Sequence, residues 1–255
     1  MTGILEGKAA LVTGGASGIG RATSLAMARE GALVAVTDRT EERSAQTVAL
    51  INAAGGQAIA IGGDVANEAD VAAMVARTVA AFGRIDCAFN NAGIGGGTVG
   101  PRNQRLHEME RSSFDAMLAI NLTGVFMCMK HEIVQMLAQG GGAIVNTASI
   151  AGLIGLATSA SYVAAKHGVV GLTKTAAIEY GRDNIRVNCV NPGYITTPMT
   201  EEIVRTRYDA LMAKVPMNRM GVPEEIAEAV VWMCSDRASF MNGASHVIDG
   251  GYYAA

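Results

Sequence analysis

Charge is scarce in this chain. Asp, Glu, Lys and Arg make up 17% of its 255 residues, and the formal net charge is −3. Without a basic excess there is no electrostatic footprint for nucleic acid. Cysteine is also sparse. Cys87, Cys128, Cys189 and Cys234 are scattered, form no CxxC, and share no metal-like spacing with His107, His131 or His246. The expectation is four buried free thiols in a reducing cytoplasm, and no metal. No apolar run approaches the roughly 18 residues of a membrane span. The opening Met-Thr-Gly-Ile-Leu-Glu-Gly-Lys lacks the cationic and apolar regions of a signal peptide. Linkers, repeats and low-complexity segments are missing as well. What is present is apolar: half the residues are hydrophobic. That composition suits one core built on a sheet buried on both faces, with a further apolar face for an oligomer interface.

Short apolar strands alternate with helical stretches. Strands are expected at 9–13, 32–37, 58–61, 85–89, 143–147, 185–190 and 246–248. Helices are expected at about 21–30, 41–54, 68–82, 114–137, 159–180 and 223–235. In the 68–82 helix, Val71, Met74, Val75, Val79 and Phe82 form a 3.6-period stripe. Repeated βα units predict an α/β fold: a doubly wound, Rossmann-type parallel sheet of about seven strands in a single domain, helices on both faces. Residues 196–220, with Met199, Met212, Met217 and Met220, are expected to form a substrate lid.

Thr13-Gly14-Gly15-Ala16-Ser17-Gly18-Ile19-Gly20 joins the first strand to its helix. Glycines there let backbone approach a pyrophosphate, and the helix start offers free N–H groups. The spacing is GxxxGxG rather than GxGxxG, so the loop differs from the common dinucleotide fingerprint. Asp38 ends the second strand, where a carboxylate accepts from both ribose hydroxyls and repels a 2′-phosphate. Arg39 opposes that repulsion, yet no Lys or Arg lies inside the glycine loop, so the charge balance favours NAD over NADP. Asp64 either reaches the adenine or caps a turn. Asn90-Asn91-Ala92-Gly93 either locks adjacent strands or lines the cofactor cleft. Asn121, a poor helix former within a helical stretch, marks a kink or a buried water site.

Tyr162 and Lys166 stand four apart on one helix face, with Ser149 thirteen positions before the tyrosine. A lysine ammonium beside a phenol is expected to lower the phenol's pKa, giving the proton donor and acceptor that carbonyl–alcohol interconversion needs. Taken with the glycine loop, Asn90-Asn91-Ala92-Gly93, Asn121, Asn191-Pro192-Gly193 and Asp249-Gly250-Gly251, the chain resembles the short-chain dehydrogenase/reductase family over its whole length. The resemblance implies an NAD(H)-dependent oxidoreductase acting on a secondary alcohol or ketone. It makes Tyr162 the acid/base, Ser149 the orienter of the substrate oxygen, and Lys166 the pKa shifter and ribose binder. Asn121 would hold a water in a proton relay. Its cofactor contacts would fall on Gly14, Ser17, Gly18, Ile19, Gly20, Asp38, Arg39, Asp64, Val65, Asn91, Ala92, Gly93, Tyr162, Lys166, Pro192, Gly193, Ile195 and Thr197, with Thr197 at the nicotinamide carboxamide. Members are commonly homotetramers, and this chain looks closest to those oxidising cyclic alcohols or dihydrodiols. Two other readings stay open: a non-catalytic NAD-binding regulator, and an epimerase or dehydratase using NAD transiently.

Overall fold

Each central strand carries alternating side chains to two separate cores, and this alternation explains the architecture. In the computed structural model, which describes residues 3–255, β1 (Ala9–Thr13) sends Leu11 to one side and Ala10 and Val12 to the other. The same division recurs in β2 (Leu33–Asp38), with Ala35 opposed to Val34 and Val36. A sheet apolar on both faces needs helices on both. On one side lie α3 (Glu68–Phe82), α5 (Gly124–Gln139) and α6 (Ala160–Tyr180). On the other lie α1 (Gly18–Arg29), α2 (Glu41–Ala53) and α8 (Pro223–Cys234). β3 (Gln57–Gly62), β4 (Cys87–Asn90), β5 (Gly142–Thr147), β6 (Ile185–Pro192) and β7 (Ser245–Ile248) complete a seven-stranded sheet of order β3-β2-β1-β4-β5-β6-β7. Every neighbouring pair is parallel. The strand order reverses between β1 and β4, which places a crevice at the carboxyl ends of those strands.

Several boundaries differ from the sequence reading for identifiable reasons. The first helix begins at Gly18, three residues early, because the loop glycines form its first turn. β4 begins at Cys87, not Ile85, because the Ile85 N–H donates to the Gln139 side chain at 3.1 Å. β6 runs on to Pro192 because β7 pairs with its last four residues. The helix expected at 114–137 is α4 (Arg111–Leu118) and α5 joined by a π turn at Ala119–Thr123. Counted as one piece, Arg111–Gln139 is long and on average apolar enough to cross a membrane, although Arg111, Asp115, Lys130 and Glu132 interrupt its apolar run. One face of it packs into the core, burying Asn121 and Glu132 against neighbouring helices and strands. Between β6 and α8, residues Glu201–Met212 form α7, kinked at Arg207.

Candidate active site

The glycine loop closes on itself at atomic contact distance. A Cβ on Gly20 would sit 2.2 Å from the Gly14 carbonyl oxygen. A Cβ on Gly14, whose φ is +67°, would sit 2.9 Å from Ala92 Cα. Ser17 precedes α1 without capping it, and no acidic residue occupies the first turn, so its N–H groups remain available to an anion. Asn91 ties this loop to β4: its Nδ2 donates to the Thr13 and Gly14 carbonyls at 3.2 and 3.4 Å. The Thr13 hydroxyl accepts from the N–H groups of Asn91 and Ala92, each at 3.0 Å. Thr197, from the segment after β6, stands over Gly18.

Asp38 lies at the carboxyl end of β2 with its side chain 11% exposed. Its carboxylate accepts from the Arg39 N–H at 2.9 Å and from Arg43 Nε at 2.5 Å. Arg43 was not singled out from the sequence; it stands in the first turn of α2, where a chain reversal after β2 returns it to Asp38. Arg21 was also missed. It donates to Gln46 at 2.9 Å, to Thr47 at 3.1 Å and to the Ala16 carbonyl, binding the loop to α2. Asp64 is exposed and accepts from the Ala66 N–H at 2.9 Å, which is the turn-capping alternative. Val65 is buried against Gly124 at the start of α5. Gly193 donates to the Ile248 carbonyl at 2.9 Å, Pro192 pairs with Ile248, and Ile195 is buried and bridges to Gly221. These three extend the floor of the crevice beyond β6.

Ser149, Tyr162 and Lys166 converge beside that floor. Lys166 is buried and its ammonium donates to the Thr147 carbonyl at 2.7 Å, 5.7 Å from the Tyr162 ring centroid. Ser149 Oγ accepts from the Ala151 N–H at 3.1 Å, so its proton is directed towards Tyr162 and the cavity that the two line. The expected fall in the phenol's pKa is not what this environment produces. Burial raises Tyr162 above its ordinary value, and only the Ser149 hydrogen bond opposes the rise. Burial also lowers Lys166 to about 8, which weakens the cation expected to act on the phenol. Asn121 is fully buried in the π turn. Its Oδ1 accepts from the Ile94 N–H and its Nδ2 donates to the Ile94 carbonyl, each at 2.8 Å. That bidentate grip fixes the β4–α4 loop and commits the side-chain amide. Gly93 packs against the same Oδ1.

A cavity of about 550 Å³ opens in front of Ser149 and Tyr162. Its walls come from the β4–α4 loop, from the segment between Ser149 and Tyr162 and from the stretch around α7, together with Met117, Tyr194 and Tyr252. Tyr194 and Tyr252 meet edge to face at 5.5 Å and were not anticipated. At the rim, Arg102 pairs with Glu202 at 3.0 Å and Arg207 donates to Asn103 at 3.1 Å, joining α7 to the β4–α4 loop. The whole crevice fits a nicotinamide dinucleotide. A side-chain-free loop and a helix start suit the pyrophosphate, and a carboxylate at the end of β2 suits the ribose.

A family model described as enoyl-(acyl carrier protein) reductase matches residues 14–253. The chain belongs to the short-chain dehydrogenase/reductase family. This dehydrogenase/reductase is 45% identical over 253 residues to the cyclohexanol dehydrogenase of Acinetobacter sp. strain SE19, covering 99% of this chain and 97% of the relative. The crystal structure of levodione reductase superposes with a TM-score of 0.93 at 39% identity, covering 98% and 99% of the two chains. A putative 2-deoxy-D-gluconate 3-dehydrogenase from Agrobacterium tumefaciens, solved with bound NADP, superposes with a TM-score of 0.89 at 35% identity, covering 98% of each. The dehydrogenase/reductase is thus an oxidoreductase that works with a nicotinamide cofactor on a secondary alcohol or ketone, and the bound cofactor would supply the hydride acceptor or donor.

Proposed function

We propose that this dehydrogenase/reductase interconverts a cyclic, largely apolar secondary alcohol and its ketone with NAD(H). The observation that carries the reading is the opening of Ser149 and Tyr162, with Lys166 buried behind them, onto a cavity walled by Met117, Leu156, Met199 and Leu211. Ser149 donates a hydrogen bond to the reacting oxygen. Tyr162 exchanges the proton with it. Lys166, anchored on Thr147 and 5.7 Å from the phenol ring, is the cation that accompanies the phenolate as it forms against burial, and it reaches the nicotinamide ribose, while Thr197 holds the carboxamide end. Asn121 serves a water relay through the main chain of its π turn. Asp38, held in place by Arg43, accepts from the adenosine ribose hydroxyls and disfavours a 2′-phosphate, although Arg39 and Arg43 both stand ready to meet one. Gly14, Ser17, Gly18, Ile19 and Gly20 receive the pyrophosphate, with Asn91, Ala92 and Gly93 along the cleft.

The stretch 196–220 acts as the lid, tethered by its rim contacts. Four unpaired thiols support a cytoplasmic setting. Exposed Val134, Ile178 and Phe240, at 64%, 84% and 104%, support a homotetramer. The test is a panel of cyclic and linear secondary alcohols with NAD and with NADP, followed at the NADH absorbance. Turnover with cyclic alcohols and a higher kcat/KM for NAD support the reading. Dinucleotide binding without turnover on any alcohol or ketone overturns it in favour of a regulator.

A further inference from the structure

Glu132 is a carboxyl where a carboxyl is costly. It lies on α5 with 1% exposure, and among the described residues no cation pairs with it. Its neighbours Lys130 and His131 both turn to Glu68 on α3. The groups around it are polar but uncharged, and they form a line across the sheet. Asn90 on β4 donates from one nitrogen to Glu132 Oε2 at 2.9 Å and to Asn146 Oδ1 on β5 at 3.1 Å. Asn146 donates onward to the Thr173 hydroxyl on α6 at 3.0 Å, and Thr173 donates to the Val169 carbonyl at 2.8 Å. Asn90 Oδ1 has no partner, although it is buried. The line therefore joins α5, β4, β5 and α6, and none of its members lines the cavity.

Asn90 and Asn146 are register partners at the ends of their strands. One residue beyond Asn90, Asn91 grips the glycine loop. One residue beyond Asn146, the Thr147 carbonyl receives the Lys166 ammonium. The Thr147 hydroxyl donates to Asn91 Oδ1 at 3.3 Å, so the two anchors touch each other as well. We propose that Glu132 is a positioning residue for hydride transfer: its carboxyl orients the Asn90 amide, which sets the glycine loop through Asn91 and the Lys166 acceptor through Thr147. What the place requires is an acceptor facing the Asn90 amide. An apolar residue would leave an Asn90 N–H unpaired beside an oxygen that is already unpaired. The Cys128 thiol lies near the carboxyl, one turn earlier on α5. α3, packed on the same helix, contributes buried Val71, Met74 and Val75 to this core.

The proposal rests on Ser149, Tyr162 and Lys166 being the reacting group, so wild-type turnover on the alcohol panel is established first. Glu132→Leu and Glu132→Gln are then compared by NADH fluorescence titration, which needs no substrate, and by the pH profile of kcat/KM. In Glu132→Gln the amide oxygen still accepts from Asn90, so NADH affinity and kcat/KM stay within about threefold of wild type. In Glu132→Leu, kcat/KM falls by about tenfold or more, and NADH binds more weakly. Its acidic limb for alcohol oxidation also moves up by about 0.5 pH unit or more, because a loosened Thr147 holds Lys166 less well. Should Glu132→Leu not fold, Thr173→Val cuts the far end of the same line with little change of shape, and a smaller shift of the limb in the same direction is expected. Loss in Glu132→Gln equal to that in Glu132→Leu overturns the proposal. So does an unmoved limb in both Glu132→Leu and Thr173→Val, which reduces Glu132 to core packing. Absence of wild-type turnover fails the assignment of function instead and is recognised before any variant is made.

Discussion

At the scale of single residues, the active site is a contest between burial and partners. The Tyr162 phenol is raised by burial and Lys166 is lowered to about 8 by the same cause. Tyr162→Phe removes the proton donor and keeps the ring, so NADH binding should persist while kcat falls by about 10²–10⁴-fold. Near-normal turnover would end Tyr162's role as acid/base. Lys166→Arg should recover only part of the activity lost in Lys166→Ala, since a planar fork cannot replace a compact ammonium on the Thr147 carbonyl. Full recovery, seen in kcat and in NADH affinity, would show that charge alone matters there. Glu132 makes a stability prediction with a definite sign. Burial raises its carboxyl from the ordinary 4.5 to about 7, against the weaker opposing effect of Asn90. A folded-state pKa above the unfolded one means stability fully present below pH 4.5 and lost as pH rises through 7. Between those limits wild type should lose on the order of 3 kcal/mol at this site. Glu132→Gln, which does not titrate, should flatten that stretch of the urea-denaturation midpoint plotted against pH. A slope unchanged by the substitution would place the titration elsewhere.

At the scale of elements, the junction of β2 and α2 decides the cofactor. Asp38 is held by Arg43 from α2, so Asp38→Ser removes a repulsive carboxylate and frees the Arg43 guanidinium, with Arg39 beside it, for a 2′-phosphate. NAD should lose about one to two decades in kcat/KM and NADP should gain. Equal loss for both cofactors would make Asp38 a structural residue. Much of this scale was legible in the sequence. β1 and α3 fall at the residues expected, because a five-residue apolar run and a 3.6-period stripe are local signals. The early start of α1, the late start of β4 and the π turn were not legible. The first comes from the loop glycines supplying the first turn, and the other two depend on a partner distant in sequence: Gln139 at Ile85, and Ile94 at Asn121. The anomaly at Asn121 was visible as a poor helix former, but its resolution as a widened turn needed the loop that it grips. Arg43 escaped notice for the same reason: its importance lies in where α2 turns, not in any motif. Asp64 shows the opposite case, a residue the family pattern marks for the cofactor while the local geometry gives it a turn to cap.

At the scale of the whole molecule, the doubly wound sheet keeps two cores apart, and the cysteines are distributed evenly between them. Cys128 and Cys189 belong to the core under α3, α5 and α6, whereas Cys87 and Cys234 belong to the core under α1, α2 and α8. All four are buried; burial raises the thiols of Cys128 and Cys189, and the neighbouring Cys234 together with burial raises that of Cys87. A shielded, protonated thiol barely reacts. The molecule therefore carries two native chemical clocks, one on each side of the sheet. A thiol-specific label added to the folded enzyme should modify no cysteine quickly. As denaturant is raised, peptide mass spectrometry should date the exposure of each pair separately. Simultaneous labelling of all four would show that the two layers come apart as one cooperative unit. Earlier labelling of Cys87 and Cys234 would locate the first rupture on the face that carries the glycine loop, and would make the nucleotide-binding layer the weaker half of the enzyme.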